Sequence, residues 1–207
     1  MIYAPLLFFL ALIAPLFIRS WRAAAAGLFL QGLAMTAMLW SEGPLDTASA
    51  VLALVDMALL RTIAAPLALG QMAEFTQVDG DFDAIPANLL IWTFAVILLL
   101  TGFAFALRAT DGTAQAVLHV GTAVCAVLVA MLILATQRAP FGQAVAILTL
   151  ENAIALFEMR SQHPTAWPLR LGLMVLFLLT LATMLFHLKR LGRAAQTPTP
   201  STDLAIL

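Results

Sequence analysis

The stretch LLIWTFAVILLL at residues 89–100 is apolar on every face, and it decides the fold class. A membrane-spanning strand would alternate apolar and polar residues over about ten positions, whereas neither this run nor residues 171–185 alternates. Within lipid, only helices and closed barrels satisfy all backbone polar groups. The two runs therefore predict an all-α membrane protein.

The composition of the whole chain indicates the same class. Of its 207 residues, 63% are hydrophobic and 10% are charged, and the mean hydropathy is +1.01. A soluble domain has roughly 45–50% apolar and about 25% charged residues. The net charge of -1 provides no basic surface for nucleic acid. A single cysteine, Cys125, excludes an internal disulfide, and we expect no metal, cofactor or iron–sulfur cluster on this chain.

The next question is how often the chain crosses the membrane, since one crossing needs about 20 mostly apolar residues. Seven stretches meet this requirement, at residues 2–18, 22–40, 47–72, 86–107, 113–135, 141–158 and 168–188. We predict a polytopic transmembrane bundle over residues 1–192. The polar, Pro-rich residues that follow predict a flexible cytoplasmic tail over 193–207. Its apolar end is either a frayed terminus or a hook that docks on a neighbouring protein.

The distribution of Lys and Arg predicts an N-terminus outside and a C-terminus inside. If the spans alternate in direction, six basic residues lie inside and three outside: Arg19, Arg22, Arg138, Lys189, Arg190 and Arg193 against Arg108, Arg160 and Arg170. Basic loops face the cytoplasm, whereas acidic residues hardly affect orientation. An inside loop that contains Asp79, Asp81 and Asp83 is therefore compatible with this orientation.

Ionisable residues inside the spans indicate function, because a charge at the bilayer centre costs roughly 3 to more than 10 kcal/mol. Asp56 and Arg61 lie near the middle of the third span. At about 100° per residue, a spacing of five directs them to different faces of an α-helix. We therefore expect each to find a partner on another helix or another chain, either as a structural ion pair or as a charge on a proton path.

The sixth span carries Glu151 at membrane depth. A lone carboxyl group buried away from water holds or exchanges a proton rather than staying charged, as a proton relay requires. Gln143, eight residues earlier, is placed to border the same cavity as Glu151. Asn152 is placed to orient hydrogen bonds beside Glu151. The alternative is a neutral, hydrogen-bonded carboxyl group that serves packing.

His119, in the fifth span, either packs within the bundle or passes protons, which histidine does near neutral pH. It has no neighbouring ligands in sequence that would favour a metal site. The chain shows no phosphate-binding loop, dinucleotide fingerprint or nucleophile elbow. We therefore predict no catalytic residue on this chain.

The segment from Thr136 to Gln143, followed by Leu150-Glu151-Asn152, resembles the hydrogenase-4 component E family. In that family a Gln-Arg pair, a Gln and a Glu-Asn pair recur at this spacing. The Glu-Asn helix is similar to the glutamate helix of complex I subunit K and of its counterpart in Mrp-type antiporters. A second similarity is Arg61, five residues before Pro66, where the family has a Lys.

The resemblance implies a multi-pass, non-redox subunit of a complex I-like assembly in the bacterial inner membrane, beside antiporter-like subunits. Glu151 would bind the proton, and Arg61 would tune the proton affinity of Glu151 through its nearby charge. Gln143 and Asn152 would support a water chain. Relatives commonly carry a second acid on the last helix, which is missing here. Either Asp56 or His119 replaces it, or proton transport is lost and a coupling or scaffolding role remains.

Two further functions stay open at this point. One is a structural scaffold that joins antiporter-like partners, with its buried charges acting only as locks between helices. The other is an accessory member of a complex that uses proton flow to take up an inorganic ion such as bicarbonate or sodium.

Overall fold

A computed structural model describes residues 2–18, 20–41, 47–75, 84–85, 88–159 and 167–196. All regular structure within these ranges is helical, which confirms the all-α prediction. The elements are α1 (Tyr3–Phe17), α2 (Trp21–Ser41), α3 (Thr47–Leu54), a π-helix named π1 (Val55–Ala64), α4 (Ala65–Phe75), α5 (Leu89–Ala109), α6 (Ala114–Thr136), α7 (Pro140–Met159) and α8 (Trp167–Gln196).

The described helices include six spans that are long and apolar enough to cross a membrane. They are α2, the continuous α3–π1–α4 span, α5, α6, α7 and α8. The first predicted span is also helical, but α1 has only 15 residues. At 1.5 Å per residue it is about 22 Å long, which is less than the roughly 30 Å of a hydrocarbon core. The chain is thus a polytopic helical bundle, and its orientation stays a prediction.

Several residues behind the predicted orientation and tail lie outside the described ranges. They are Arg19, Asp79, Asp81, Asp83, Arg160 and residues 197–207. The last helix, α8, continues to Gln196, past the expected boundary at residue 192. Ala194 and Ala195 favour helix, and the first proline after them is Pro198.

The centre of the bundle is formed by α6 and α7. In the most apolar 18-residue stretch of each helix, 56% of residues are buried in α6 and 61% in α7, against 17% in α5 and 11% in α8. These two outer helices expose large apolar side chains, among them Leu100 and Leu179. Such apolar surfaces suit contact with lipid.

Small residues let several helices approach closely, as is usual in membrane bundles. A Cβ atom added to Gly32 of α2 would lie 2.7 Å from the backbone of Thr62 in π1. A Cβ atom added to Gly102 of α5 would lie 2.6 Å from the Sγ of Cys125 in α6. Only glycine fits at these two crossings.

The π-helix interrupts the third span at its middle. Its final turn is closed by the N–H of Ala65, which donates to the carbonyl of Leu60, five residues earlier. Pro66 follows directly, and a proline ring clashes with the carbonyl four residues before it in a regular α-helix. The π segment thus lies directly ahead of this proline, and π segments of this kind are frequent at functional sites.

Candidate functional site in the membrane interior

Asp56 and Arg61 form a buried ion pair within the same span. The Nε of Arg61 donates to both carboxylate oxygens of Asp56 at 3.2 Å. Arg61 also has a partner on another helix, Asn152, as predicted, but the prediction that Asp56 and Arg61 face different sides of their own helix is wrong. It assumed α-helical geometry, whereas π1 hydrogen-bonds each residue to the one five positions earlier and so brings positions 56 and 61 to one side.

The guanidinium of Arg61 also connects the span to two other helices. Its Nη1 donates to the Oδ1 of Asn152 on α7 at 3.2 Å. The Nδ2 of Asn152 in turn donates to the Oε1 of Gln31 on α2 at 3.1 Å. Arg61, Asn152 and Gln31 are each 2% exposed, so this chain of polar groups is closed to the surroundings.

A fourth helix contributes an aromatic ring to the same place. The Cζ of Arg61 lies 4.4 Å from the centre of the Phe177 ring on α8, and Phe177 is fully buried. A cation over an aromatic face is attracted by the ring, most strongly when both are desolvated. We call Gln31, Asp56, Arg61, Asn152 and Phe177 the Arg61 cluster.

Glu151 is adjacent to Asn152 in sequence but faces a different neighbour. Its Oε1 accepts a hydrogen bond from the Oγ1 of Thr180 on α8 at 3.5 Å, which is long for such a bond. The side chain is half-buried rather than buried. Among the described residues no ion pair joins Glu151 to Arg61, and the expected influence of the Arg61 charge on Glu151 stays a prediction.

The amide of Asn152, which we expect to orient hydrogen bonds beside Glu151, contacts Arg61 and Gln31 in the Arg61 cluster. A charge inside a membrane needs a polar partner. Both Arg61 and Glu151 have one. The structure thus brings Asp56, Arg61 and Asn152 together and leaves Glu151 beside them on the α8 side of α7.

Gln143 lies at the start of α7, where it contributes to the turn that connects α6 to α7. Its Nε2 donates to the carbonyl of Gln137 at 3.4 Å. The Nε2 of Gln137 donates to the carbonyl of Ala84 at 3.0 Å. The segment that carries the Gln-Arg pair therefore holds this turn against residues 84–85.

His119 packs between α6 and α7. Its Nε2 lies 2.9 Å from the carbonyl oxygen of Leu156, and because a carbonyl only accepts, this nitrogen carries the proton. The Leu156 carbonyl is in the last turn of α7. This contact fits the packing alternative for His119.

A metal centre is not apparent in the part of the chain that the structure describes. No group of three or more His, Cys, Asp or Glu side chains in those residues is arranged to hold an ion. Among the described residues the site offers hydrogen-bonding side chains, a buried ion pair and the half-buried carboxyl group of Glu151.

Two members of the Arg61 cluster are not among the residues predicted from the sequence. Gln31 carried a usable signal, since it and Thr36 are the only uncharged polar side chains in the second predicted span. Phe177 carried none, because it lies in an apolar run in which every position looks alike. Thr180 was missed because a hydroxyl in a membrane helix usually bonds to a backbone carbonyl of the same helix, so a threonine alone predicts no contact with another helix.

Comparisons of the chain with family models, curated proteins and solved structures found no match.

Proposed function

We propose that this chain is a non-redox membrane subunit of a complex I-like, hydrogenase-4-type assembly and that it contributes to proton translocation or its coupling. The observation that carries the proposal is Glu151, a half-buried carboxyl group inside a membrane span, to which the described residues supply one long hydrogen bond, from Thr180. Intramembrane acids of this kind mark proton relays.

The Arg61 cluster supports the proposal as a fixed electrostatic neighbour. Asp56 neutralises Arg61 at 3.2 Å, so the pair adds no net charge beside Glu151. Asn152 joins the two regions, because its amide contacts Arg61 while its backbone continues into Glu151. In this scheme Glu151 carries the proton and the Arg61 cluster fixes the position of α7.

The host complex is proposed from the sequence resemblance. The Gln-Arg segment and the Glu151-Asn152 pair match the family pattern, whereas α8 lacks the second acid of relatives. On α8 the polar group that contacts Glu151 is instead the hydroxyl of Thr180. The exposed apolar surfaces of α5 and α8 offer room for lipid and for antiporter-like subunits in a bacterial inner membrane.

The direct test is Glu151→Gln, which keeps the shape of the side chain but cannot release a proton at neutral pH. We expect the assembled complex in sealed vesicles to lose proton pumping while the set of assembled chains stays intact. Glu74→Gln is the matched control, since Glu74 is exposed near the end of α4. Unchanged pumping by the Glu151→Gln complex would contradict the proposal.

A scaffold function is the second candidate, and the Arg61 cluster favours it. The cluster ties together α2, π1, α7 and α8 through buried groups, which is what a lock between helices requires. Under this function Asp56→Asn or Arg61→Gln prevents assembly of the complex. Variants that assemble normally but lose pumping would exclude the scaffold function.

Purification through this chain, followed by identification of the proteins that copurify, identifies the host complex. A carbonic-anhydrase-like companion would point to ion uptake instead.

A further inference from the structure

A groove lies between α7 and α8 at the end of the bundle where α7 begins. Pro140, Gln143, Ala144 and Ile147 line it on α7, and Thr183, Met184 and His187 line it on α8. Four of these seven residues are apolar, and Gln143, Thr183 and His187 are polar. Its volume is about 220 Å³. One water molecule needs roughly 10–15 Å³ by the same kind of measure, so several fit.

The residues that line the groove lead toward Glu151 on both helices. On α7, Gln143, Ile147 and Glu151 follow each other at intervals of four residues and so lie along one side of the helix. On α8, Thr180 and Thr183 are three residues apart, and Thr180 is the residue that contacts Glu151. The distance along α8 from position 187 to position 180 is about 10 Å.

The opposite end of the same seam is closed. The Nε of Arg170 on α8 lies 3.7 Å from the Oε1 of Glu158 on α7, and this ion pair bridges the two helices. Between that pair and Glu151, the fully buried ring of Phe177 packs beneath Arg61. The seam is thus open at one end, where three polar residues contribute to its lining, and bridged at the other.

From this asymmetry we infer that the α7–α8 groove is a water-filled access route that connects one membrane face to the Glu151 carboxyl group. Gln143, Thr183 and His187 supply the hydrogen-bonding groups that water needs there. The inference deepens the proposed function, on which it rests for the role of Glu151. It adds that Glu151 exchanges protons with the membrane face at which α7 begins.

Cysteine accessibility tests the route without measuring proton transport. The only cysteine of the chain, Cys125, is replaced by Ser, which keeps a donor for the carbonyl of Leu99. Thr183→Cys is then introduced, with Ala182→Cys as the matched control. Position 182 is about 1.5 Å away along the helix axis but points about 100° elsewhere. Each full-length variant is treated in sealed native vesicles of both orientations with a charged, membrane-impermeant thiosulfonate.

We expect the thiol at position 183 to react about tenfold faster than that at 182, and only from the face where α7 begins. The reason is that the reactive thiolate forms in water and not in lipid. Thr180→Cys should react from that same face, whereas Leu173→Cys, toward the bridged end, should react from neither. Ile147→Cys, on the α7 wall, carries the same expectation as position 183 if that variant fails to accumulate.

Equal reaction at positions 183 and 182, or reaction at 180 from the opposite face, would overturn the access route. These outcomes are separate from the pumping test. Sided labelling together with unchanged pumping by Glu151→Gln would leave the groove in place and remove the proposed function. Loss of pumping together with an unreactive position 183 would do the reverse.

Discussion

The Arg61 cluster and the surroundings of Glu151 lie at the same depth of the bundle but are held in different ways. In the cluster a buried cation has a carboxylate, an amide and an aromatic ring as neighbours within one closed set. Glu151 is half-buried, four residues beyond Ile147 of the groove, and the described residues supply it with one long hydrogen bond. The difference separates a charge that is held on several sides from an acid that is held loosely.

The strongest way to break this comparison is to remove the cation of the cluster. Arg61→Gln leaves Asp56 buried without a partner, and we expect a loss of about 3–5 kcal/mol in the free energy of unfolding. Reversible unfolding of the full chain in mixed detergent micelles measures it.

Arg108→Gln is the control for that variant, because Arg108 is exposed at the end of α5, and its effect should stay within about 0.5 kcal/mol. The double variant Asp56→Asn with Arg61→Gln restores neutrality and should recover most of the loss. A double variant as unstable as Arg61→Gln alone would show that packing, and not the unpaired charge, causes the effect.

The next effect concerns the close crossing that positions the cluster. Gly32→Ala places a Cβ atom 2.7 Å from the backbone of Thr62, so α2 and π1 must separate. We expect a loss of about 1–3 kcal/mol in the same unfolding measurement. Gly172→Ala on α8 meets nothing within 4 Å and should be neutral or stabilising by up to about 1 kcal/mol. Equal effects of the two variants would argue against a tight crossing at Gly32.

A smaller effect is expected where the polar chain of the cluster ends. Gln31→Leu removes the acceptor of the Asn152 amide, at a cost of about 1 kcal/mol. Gln115→Leu is the same change at an exposed position near the start of α6 and should have little effect. If the two variants unfold alike, the Gln31 hydrogen bond does not stabilise the cluster.

The smallest change is expected at Glu151 itself. Thr180→Val removes its long hydrogen bond, and we expect a loss of about 0.6 kcal/mol or less in unfolding free energy. Thr101→Val is the control, since that hydroxyl bonds only to the Ile97 carbonyl of its own helix. A loss as large as that of Gln31→Leu would mean that Glu151 is held as firmly as the cluster, and the comparison would fail.

The helical class and the positions of the spans were predictable, because apolar runs of about 20 residues leave few alternatives in a membrane. The importance of the buried charges was also predictable, because a charge in the membrane interior costs free energy unless it has a partner. Their pairing was not, since the spacing of Asp56 and Arg61 was interpreted with α-helical geometry and nothing in the local sequence reveals π1 directly. The contact between Arg61 and Phe177 depends on how distant helices pack.

The π-helix also affects how this chain is to be aligned with others. A spacing of five residues in π1 gives the pairing that a spacing of four gives in a regular α-helix. A related chain with one residue fewer between its acid and its base could keep the same salt bridge without any bulge. Alignments that forbid a gap inside this span would then shift one half of the helix by a position and hide the match.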